Sequence, residues 1–129
     1  MDKRQKILIV DDAEFNREIL KEFLGEVYSY LEAENGIQAI RILEEIGNRL
    51  MLLDVNMPQM NGFEVLEWMN QLHWIDETPV IMISSEGSVD AMRKAYEMGI
   101  TDYITRPFDS VIVKKRVQNT LELMRIKSV

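Results

Sequence analysis

Three carboxylates stand directly after two short apolar runs of the chain. Asp11 and Asp12 follow the run 7–10, and Asp54 follows the run 50–53. A short, continuous apolar run bounded by charged or turn residues is typical of a strand buried on both faces of a parallel sheet. Ligands of open parallel sheets bind beyond the carboxyl ends of the strands. We therefore expect the three carboxylates to converge on one edge of one sheet.

Carboxylates held close together repel one another unless a cation lies between them. Mg²⁺ is the natural candidate, because it is a hard ion that prefers oxygen ligands. A plainer interpretation is that Asp11 and Asp12 cap the N-terminus of a following helix, which aspartate does well. For Asp54 the plainer interpretation is a solvated turn at a strand end. The spacing alone leaves these alternatives open.

Composition limits the class of protein. The 129 residues, of which 47% are hydrophobic and 29% charged, suit one soluble globular domain. The net charge of -7 argues against nucleic-acid binding, because phosphate contacts need a basic surface. The lack of cysteine excludes disulfides and thiolate zinc sites. No run approaches the ~20 apolar residues of a membrane span. The charged start lacks the apolar core of a signal peptide, so a cytoplasmic location is expected.

Strand-like apolar runs alternate with helix-like stretches. The predicted strands are 6–10, 27–33, 50–54, 79–84 and 102–105, and the predicted helices are 14–24, 37–46, 63–72, 88–98 and 109–126. This strict alternation predicts a parallel α/β sheet with right-handed crossovers. Five units suit a flavodoxin-like, three-layer (βα)5 sandwich with strand order 2-1-3-4-5. In the first helix, the spacing of Phe15, Ile19 and Phe23 predicts one apolar face.

Four segments carry a family resemblance. They are Ile-Val-Asp-Asp at 9–12, Leu-Leu-Asp-Val-Asn-Met-Pro-Gln-Met-Asn-Gly at 52–62, Ile-Ser-Ser at 83–85 and Tyr-Ile-Thr-Arg-Pro-Phe at 103–108. In this order and context they resemble the receiver domain of two-component response regulators, the CheY-like superfamily. The resemblance covers essentially the whole chain. Residues 1–129 are expected to form a single receiver domain, either alone or as the N-terminal part of a longer protein.

The resemblance implies a role for each matched acidic residue. Asp54 would be the phosphoacceptor, which attacks the phosphorus of a phosphohistidine on a sensor histidine kinase or phosphotransfer protein. Asp11, Asp12 and Asp54, together with the backbone carbonyl of Asn56, would be the Mg²⁺ ligands. The ion would offset the charge of the incoming phosphoryl group. The chain would not be an enzyme beyond its own phosphoryl transfer and dephosphorylation.

Two further residues resemble the switch of the family. Ser84 would hydrogen-bond a phosphoryl oxygen, and the ring of Tyr103 would turn inward as Ser84 is drawn toward the phosphate. A plainer interpretation of Tyr103 is a half-buried ring packed on the fourth or fifth helix. Asn56 and Glu86 occupy positions that tune dephosphorylation in the family, because a polar side chain there can position an attacking water.

Arg106 departs from the family pattern, which nearly always has lysine at this position. Arginine keeps the positive charge, but it is larger, planar and forked. It could clasp a phosphoryl group bidentately or hold Asp54 in a salt bridge. We expect retained phosphorylation with altered coupling or lifetime. The peptide bond between Arg106 and Pro107 is expected to be cis, as is typical of the family.

The resemblance also implies surfaces for partners. A homodimer would form through the fourth helix, fifth strand and fifth helix, and a C-terminal output domain would read the switch. The first helix, around Asn16, Arg17 and Leu20, resembles the surface that meets the helical bundle of a kinase. No nucleic acid or membrane partner is expected for this domain.

Two rival functions remain at this level. One is a degenerate receiver that acts as a phosphorylation-independent interaction module, because Arg106 replaces the usual lysine. The other is a Mg²⁺-dependent phosphohydrolase with an aspartate nucleophile. The haloacid-dehalogenase-like enzymes of that class need Asp-x-Asp at the first strand, and Asp11-Asp12 does not match it.

Overall fold

A computed structural model describes residues 2–46, 49–85 and 88–127. Strands and helices alternate along these residues, and each observed boundary lies within one residue of its prediction. The strands are β1 (Gln5–Val10), β2 (Tyr28–Ala33), β3 (Leu50–Asp54), β4 (Val80–Ser84) and β5 (Asp102–Thr105). The α-helices are α1 (Glu14–Leu24), α2 (Gly36–Ile46), α3 (Gly62–Gln71), α4 (Val89–Glu97) and α5 (Ser110–Lys127). None of the helices in the described ranges is long and apolar enough to cross a membrane.

The five strands form one parallel sheet of order β2-β1-β3-β4-β5. This order confirms the predicted flavodoxin-like fold. Alternate residues of β1 and β3 enter two separate cores, as the two-residue period of a strand requires. Ile7 and Leu52 pack with residues of α1 and α5 on one face. Leu8 and Leu53 pack with residues of α2, α3 and α4 on the other, which completes the three layers.

Helix α1 turns a different face to the sheet from the one predicted. Its buried residues are Arg17, Leu20 and Leu24, whereas Phe15 is 74% exposed. The apolar face predicted from Phe15, Ile19 and Phe23 is therefore wrong at Phe15, whereas Phe23 does pack against the core. The side chains of Arg17 and Leu20 are buried, and the kinase-docking surface on the first helix around them stays a prediction.

Gly62 allows the loop after β3 to fold tightly against the end of that strand. Its backbone N–H donates to the carbonyl of Val55 over 2.9 Å. A Cβ on Gly62 would lie 2.5 Å from the carbonyl oxygen of Asp54, closer than any side chain tolerates. The next helix begins at once, with Asn61 and Glu64 forming a capping box. This glycine therefore fixes the backbone that carries Asp54.

Candidate functional site

The three predicted carboxylates meet at the carboxyl edge of the sheet. One carboxylate oxygen from each of Asp11, Asp12 and Asp54 lies within 4.8 Å of the others. Asp11 and Asp54 are almost fully buried, with 2% and 3% exposure, whereas Asp12 is exposed. Strands β1 and β3 are neighbours, so their ends bring these groups together. A set of hard oxygen donors, one of them open to solvent, fits a divalent cation such as Mg²⁺.

The plainer interpretations do not describe Asp11 and Asp54. Helix α1 has Ala13 as its N-cap and no side-chain cap. Asp11 Oδ1 accepts a hydrogen bond from the Ala13 backbone N–H at 2.9 Å, and both of its oxygens lie 3.3–3.4 Å from the Asn16 amide. These bonds orient Asp11 ahead of the helix. Asp54 is buried rather than placed in a solvated turn.

Arg106 connects the two buried carboxylates. Its Nη2 lies 2.6 Å from Asp11 Oδ2, and its Nη1 lies 3.2 Å from Asp54 Oδ1. The backbone N–H of Arg106 donates to the Ser84 carbonyl at 2.9 Å, which ties it to the end of β4. The Arg106–Pro107 peptide bond is cis, as predicted. The guanidinium thus serves as an internal counter-ion for Asp11 and Asp54 together.

Two further features show how Arg106 is held. Its Cζ lies 5.3 Å from the centre of the Phe108 ring, within the range of a cation–π contact. Its buried Nε has no hydrogen-bond partner among the described residues. A buried N–H without a partner is costly. Arg106 Nε–H is therefore a buried donor that lacks a partner among the described residues.

The electrostatics of Asp54 reflect this crowding. Burial raises the pKa of Asp54 from 3.8 to about 6, and the charge of Asp11 adds to the increase. The charge and hydrogen bond of Arg106, and a 3.4 Å contact from the Asn56 backbone N–H, only partly oppose it. An additional cation would favour the ionised form.

The two residues predicted to form a switch, Ser84 and Tyr103, lie on neighbouring strands. Ser84 is the last residue of β4 and is 1% exposed. Tyr103 on β5 is 4% exposed and belongs to the core that also contains Met82 and Ala95. Tyr103 is thus fully buried rather than half-buried, although it does share a core with Ala95 of the fourth helix, as the plainer interpretation expected. Asn56 is exposed, and Glu86 lies outside the described residues.

One contributor to the site was missed in the sequence. Arg17 Nη1 donates to the backbone carbonyl of Asp11 at 2.7 Å, so a residue of α1 contacts the same strand end. The available signal was its spacing, because Arg17 shares a helical face with Leu20 and Leu24. A charged residue at such a position needs a buried partner.

Comparison with known proteins agrees with this geometry. The model of the response regulator receiver domain family matches residues 7–118. Response regulator RR06 of Streptococcus pneumoniae is 34% identical over 87% of this chain, which spans about half of that protein (51%). Chemotaxis protein CheY1 of Helicobacter pylori is 32% identical over 90% of this chain and 96% of that protein.

Solved structures show the same likeness. The signal receiver domain of a putative Luxo repressor protein from Vibrio parahaemolyticus superposes with a TM-score of 0.91 at 28% identity, covering 97% of this chain and 95% of that one. The BeF3-activated DrrB receiver domain gives a TM-score of 0.81 at 27% identity, covering 92% and 98%. Family model, relatives and structures agree, and the chain belongs to the response regulator receiver domain family.

Proposed function

We propose that the chain accepts a phosphoryl group on Asp54 from a phosphohistidine of a sensor histidine kinase or phosphotransfer protein. The observation that carries this proposal is the buried Asp54 carboxylate, held between Asp11 and Arg106 at the carboxyl edge of the sheet. An oxygen of Asp54 would bond to phosphorus as the bond from phosphorus to the histidine nitrogen breaks. The freed imidazole would then take up a proton.

The acidic residues would bind Mg²⁺ for this reaction, as receiver domains do at an acidic pocket. Asp11, Asp12 and Asp54 supply carboxylate oxygens, and the backbone carbonyl of Asn56 completes the proposed ligand set. The bound ion would supply charge neutralisation for the phosphoryl group. The exposure of Asp12 leaves the metal side of the site open to solvent.

Arg106 would exchange partners during the reaction. Before phosphorylation its two terminal nitrogens contact Asp11 and Asp54. Both carboxylates must loosen that contact when a cation and a phosphoryl group enter. The guanidinium fork and the unpartnered Nε–H then offer donors to phosphoryl oxygens. A lysine has no such fork, so Arg106 is proposed to tune the reaction rather than to abolish it.

Phosphorylation would bias two conformations of the domain rather than create a new one. Ser84 would donate to a phosphoryl oxygen, and the packing of Tyr103 would follow. The ring of Tyr103 is already buried, so in this proposal phosphorylation would retain the inward ring rather than turn it inward. The face formed by α4, β5 and α5 would present the change to a second copy of the domain or to an output domain.

The first test is the mass of the intact chain after incubation with Mg²⁺ and acetyl phosphate. We expect a gain of one phosphoryl group, lost in Asp54→Asn, because the amide is not a nucleophile of this kind. Asp76→Asn, at an exposed aspartate of the 3-10 helix Trp74–Asp76, is the matched control and should still gain the group. No gain in the wild type would overturn the proposal and favour the phosphorylation-independent module.

A second test uses the raised pKa of Asp54. Its pKa of about 6 exceeds the ordinary 3.8, so the folded state binds this proton more tightly than the unfolded chain does. The wild type therefore has this stabilisation below about pH 4 and loses it as the pH rises through about 6. Without metal, Asp54→Asn should gain stability over the wild type across that interval, by up to about 3 kcal/mol.

Urea unfolding in EDTA at both ends of this pH interval measures the gain. Asp76→Asn is the control, because it removes an exposed charge outside the carboxylate cluster, and such a charge contributes little to stability. A stability difference between Asp54→Asn and the wild type that does not vary with pH would contradict the charge repulsion described for this site.

A third test isolates Arg106. A lysine has one ammonium and cannot bridge both carboxylates with a rigid fork. We expect Arg106→Lys to keep phosphorylation but to react faster at low Mg²⁺, by up to about tenfold, the equivalent of one charge-assisted hydrogen bond. Arg116→Lys, which alters an Arg–Asp pair with Asp102 away from the site, is the control. Equal rates and phosphoryl lifetimes in Arg106→Lys and the wild type would show that Arg106 has no tuning role.

A further inference from the structure

The side chain of Arg17 connects the metal-site strand to the edge strand of the sheet. Arg17 is 7% exposed. Its Nη1 donates to the carbonyl oxygen of Asp11 at 2.7 Å, and its Nε donates to Glu32 Oε1 on β2 at 2.9 Å. A planar guanidinium with a buried acceptor on one side and a carboxylate on the other has little freedom to move.

Asp11, whose backbone carbonyl Arg17 contacts, is the residue at which the chain leaves the sheet after β1. The backbone N–H of Asp11 donates to the carbonyl of Ala33 at 3.1 Å, and the carbonyl of Asp11 accepts from Arg17. Beyond this point the chain carries Asp12 and enters α1. Both backbone polar groups of Asp11 are therefore hydrogen-bonded: the N–H to the backbone of β2 and the carbonyl to Arg17. These two bonds fix the direction in which the carboxylate of Asp11 leaves the strand.

A second cation, Lys21, shares the carboxylate that holds Arg17, but within the described residues its side chain pairs only with Glu18 and Glu32. Lys21 Nζ lies 3.0 Å from Glu32 Oε2 and 2.7 Å from Glu18 Oε1. Arg17 and Lys21 thus lie on the same helix and pair with the same glutamate. Only Arg17 continues to the strand end of the metal site. Comparing variants of Arg17 and Lys21 therefore distinguishes the loss of the contact with Asp11 from the loss of an ion pair with Glu32.

We propose that Arg17 is a positioning residue for the divalent cation, and that Glu32 orients Arg17 for this task. This proposal rests on the proposed metal site. Arg17 would stabilise that site by its hydrogen bond to the backbone carbonyl of Asp11, one of the proposed ligand residues. Partners that orient metal ligands typically change metal affinity 10–100-fold when they are removed. Loss of the Arg17 contact would let the turn with Asp11 and Asp12 relax away from its binding geometry.

The test is calorimetric titration of the intact chain with Mg²⁺ alone, under conditions where circular dichroism shows every variant folded. We expect Arg17→Met to raise the Mg²⁺ dissociation constant about tenfold or more, with a smaller increase for Glu32→Gln, which keeps Arg17 but removes the charge that orients it. Lys21→Met removes a cation from the same glutamate and should leave the constant within about twofold of the wild type.

A second readout separates positioning from general damage to the fold. In phosphorylation by acetyl phosphate, Arg17→Met should need more Mg²⁺ for half-maximal rate but should approach the wild-type rate at saturating Mg²⁺. If Arg17→Met does not fold, Glu32→Gln carries the same two measurements.

The outcomes distinguish this inference from the proposed function. Unchanged Mg²⁺ affinity in folded Arg17→Met, or in Glu32→Gln where Arg17→Met is unfolded, would overturn the positioning role and leave the proposed function standing. An equal loss of affinity in Lys21→Met would also overturn it, because the effect would then belong to the ion pair alone. Absence of Mg²⁺ binding by the wild type would overturn the metal site itself, and the inference with it.

Discussion

Repulsion between carboxylates at one edge of the sheet is the constraint on which the site depends. Asp11 and Asp54 are buried there, with Asp12 beside them at the surface. Burial and the neighbouring charge raise the pKa of Asp54 to about 6. The fold tolerates this arrangement because Arg106 places one guanidinium between the two buried groups. Because one guanidinium only partly offsets the effect of burial and of the Asp11 charge on Asp54, a further cation would favour the ionised carboxylates.

The charged side chains are kept close together by contacts to the backbone of the residues that carry them. Gly62 lets the loop after β3 close on the backbone of Asp54 without a clash. Arg17 holds the carbonyl of Asp11, and Glu32 holds Arg17. The position of Arg106 is set by its backbone bond to Ser84. Each group is thus anchored by a neighbouring element, and in the proposed switch the backbone bond between Arg106 and Ser84 would connect a change at Asp54 to β4 and β5.

The sequence predicted the fold well, because buried parallel strands and amphipathic helices have distinct hydrophobic periods. It also predicted the meeting of Asp11, Asp12 and Asp54, because parallel strands end at a common edge. It did not predict the orientation of α1, since an arginine in the buried stripe conceals the apolar face. It offered the salt bridge of Arg106 with Asp54 as one option, which the structure shows, but it did not predict that the same guanidinium also pairs with Asp11 or that Tyr103 already lies inward. Those features depend on side-chain packing between strands that are distant in the chain.

In the proposed reaction, the guanidinium of Arg106 is an exchangeable counter-ion for Asp11 and Asp54. A crystal structure of the chain with Mg²⁺ and beryllofluoride, a stable mimic of the phosphoryl group, would show whether it exchanges partners. We expect that the contact of Arg106 with Asp11 is broken, that Mg²⁺ is bound by the acidic residues, and that the guanidinium donates to fluorine. Beryllofluoride and Mg²⁺ bound with the Arg106–Asp11 contact intact would show that Arg106 is a fixed structural partner of Asp11 and does not exchange.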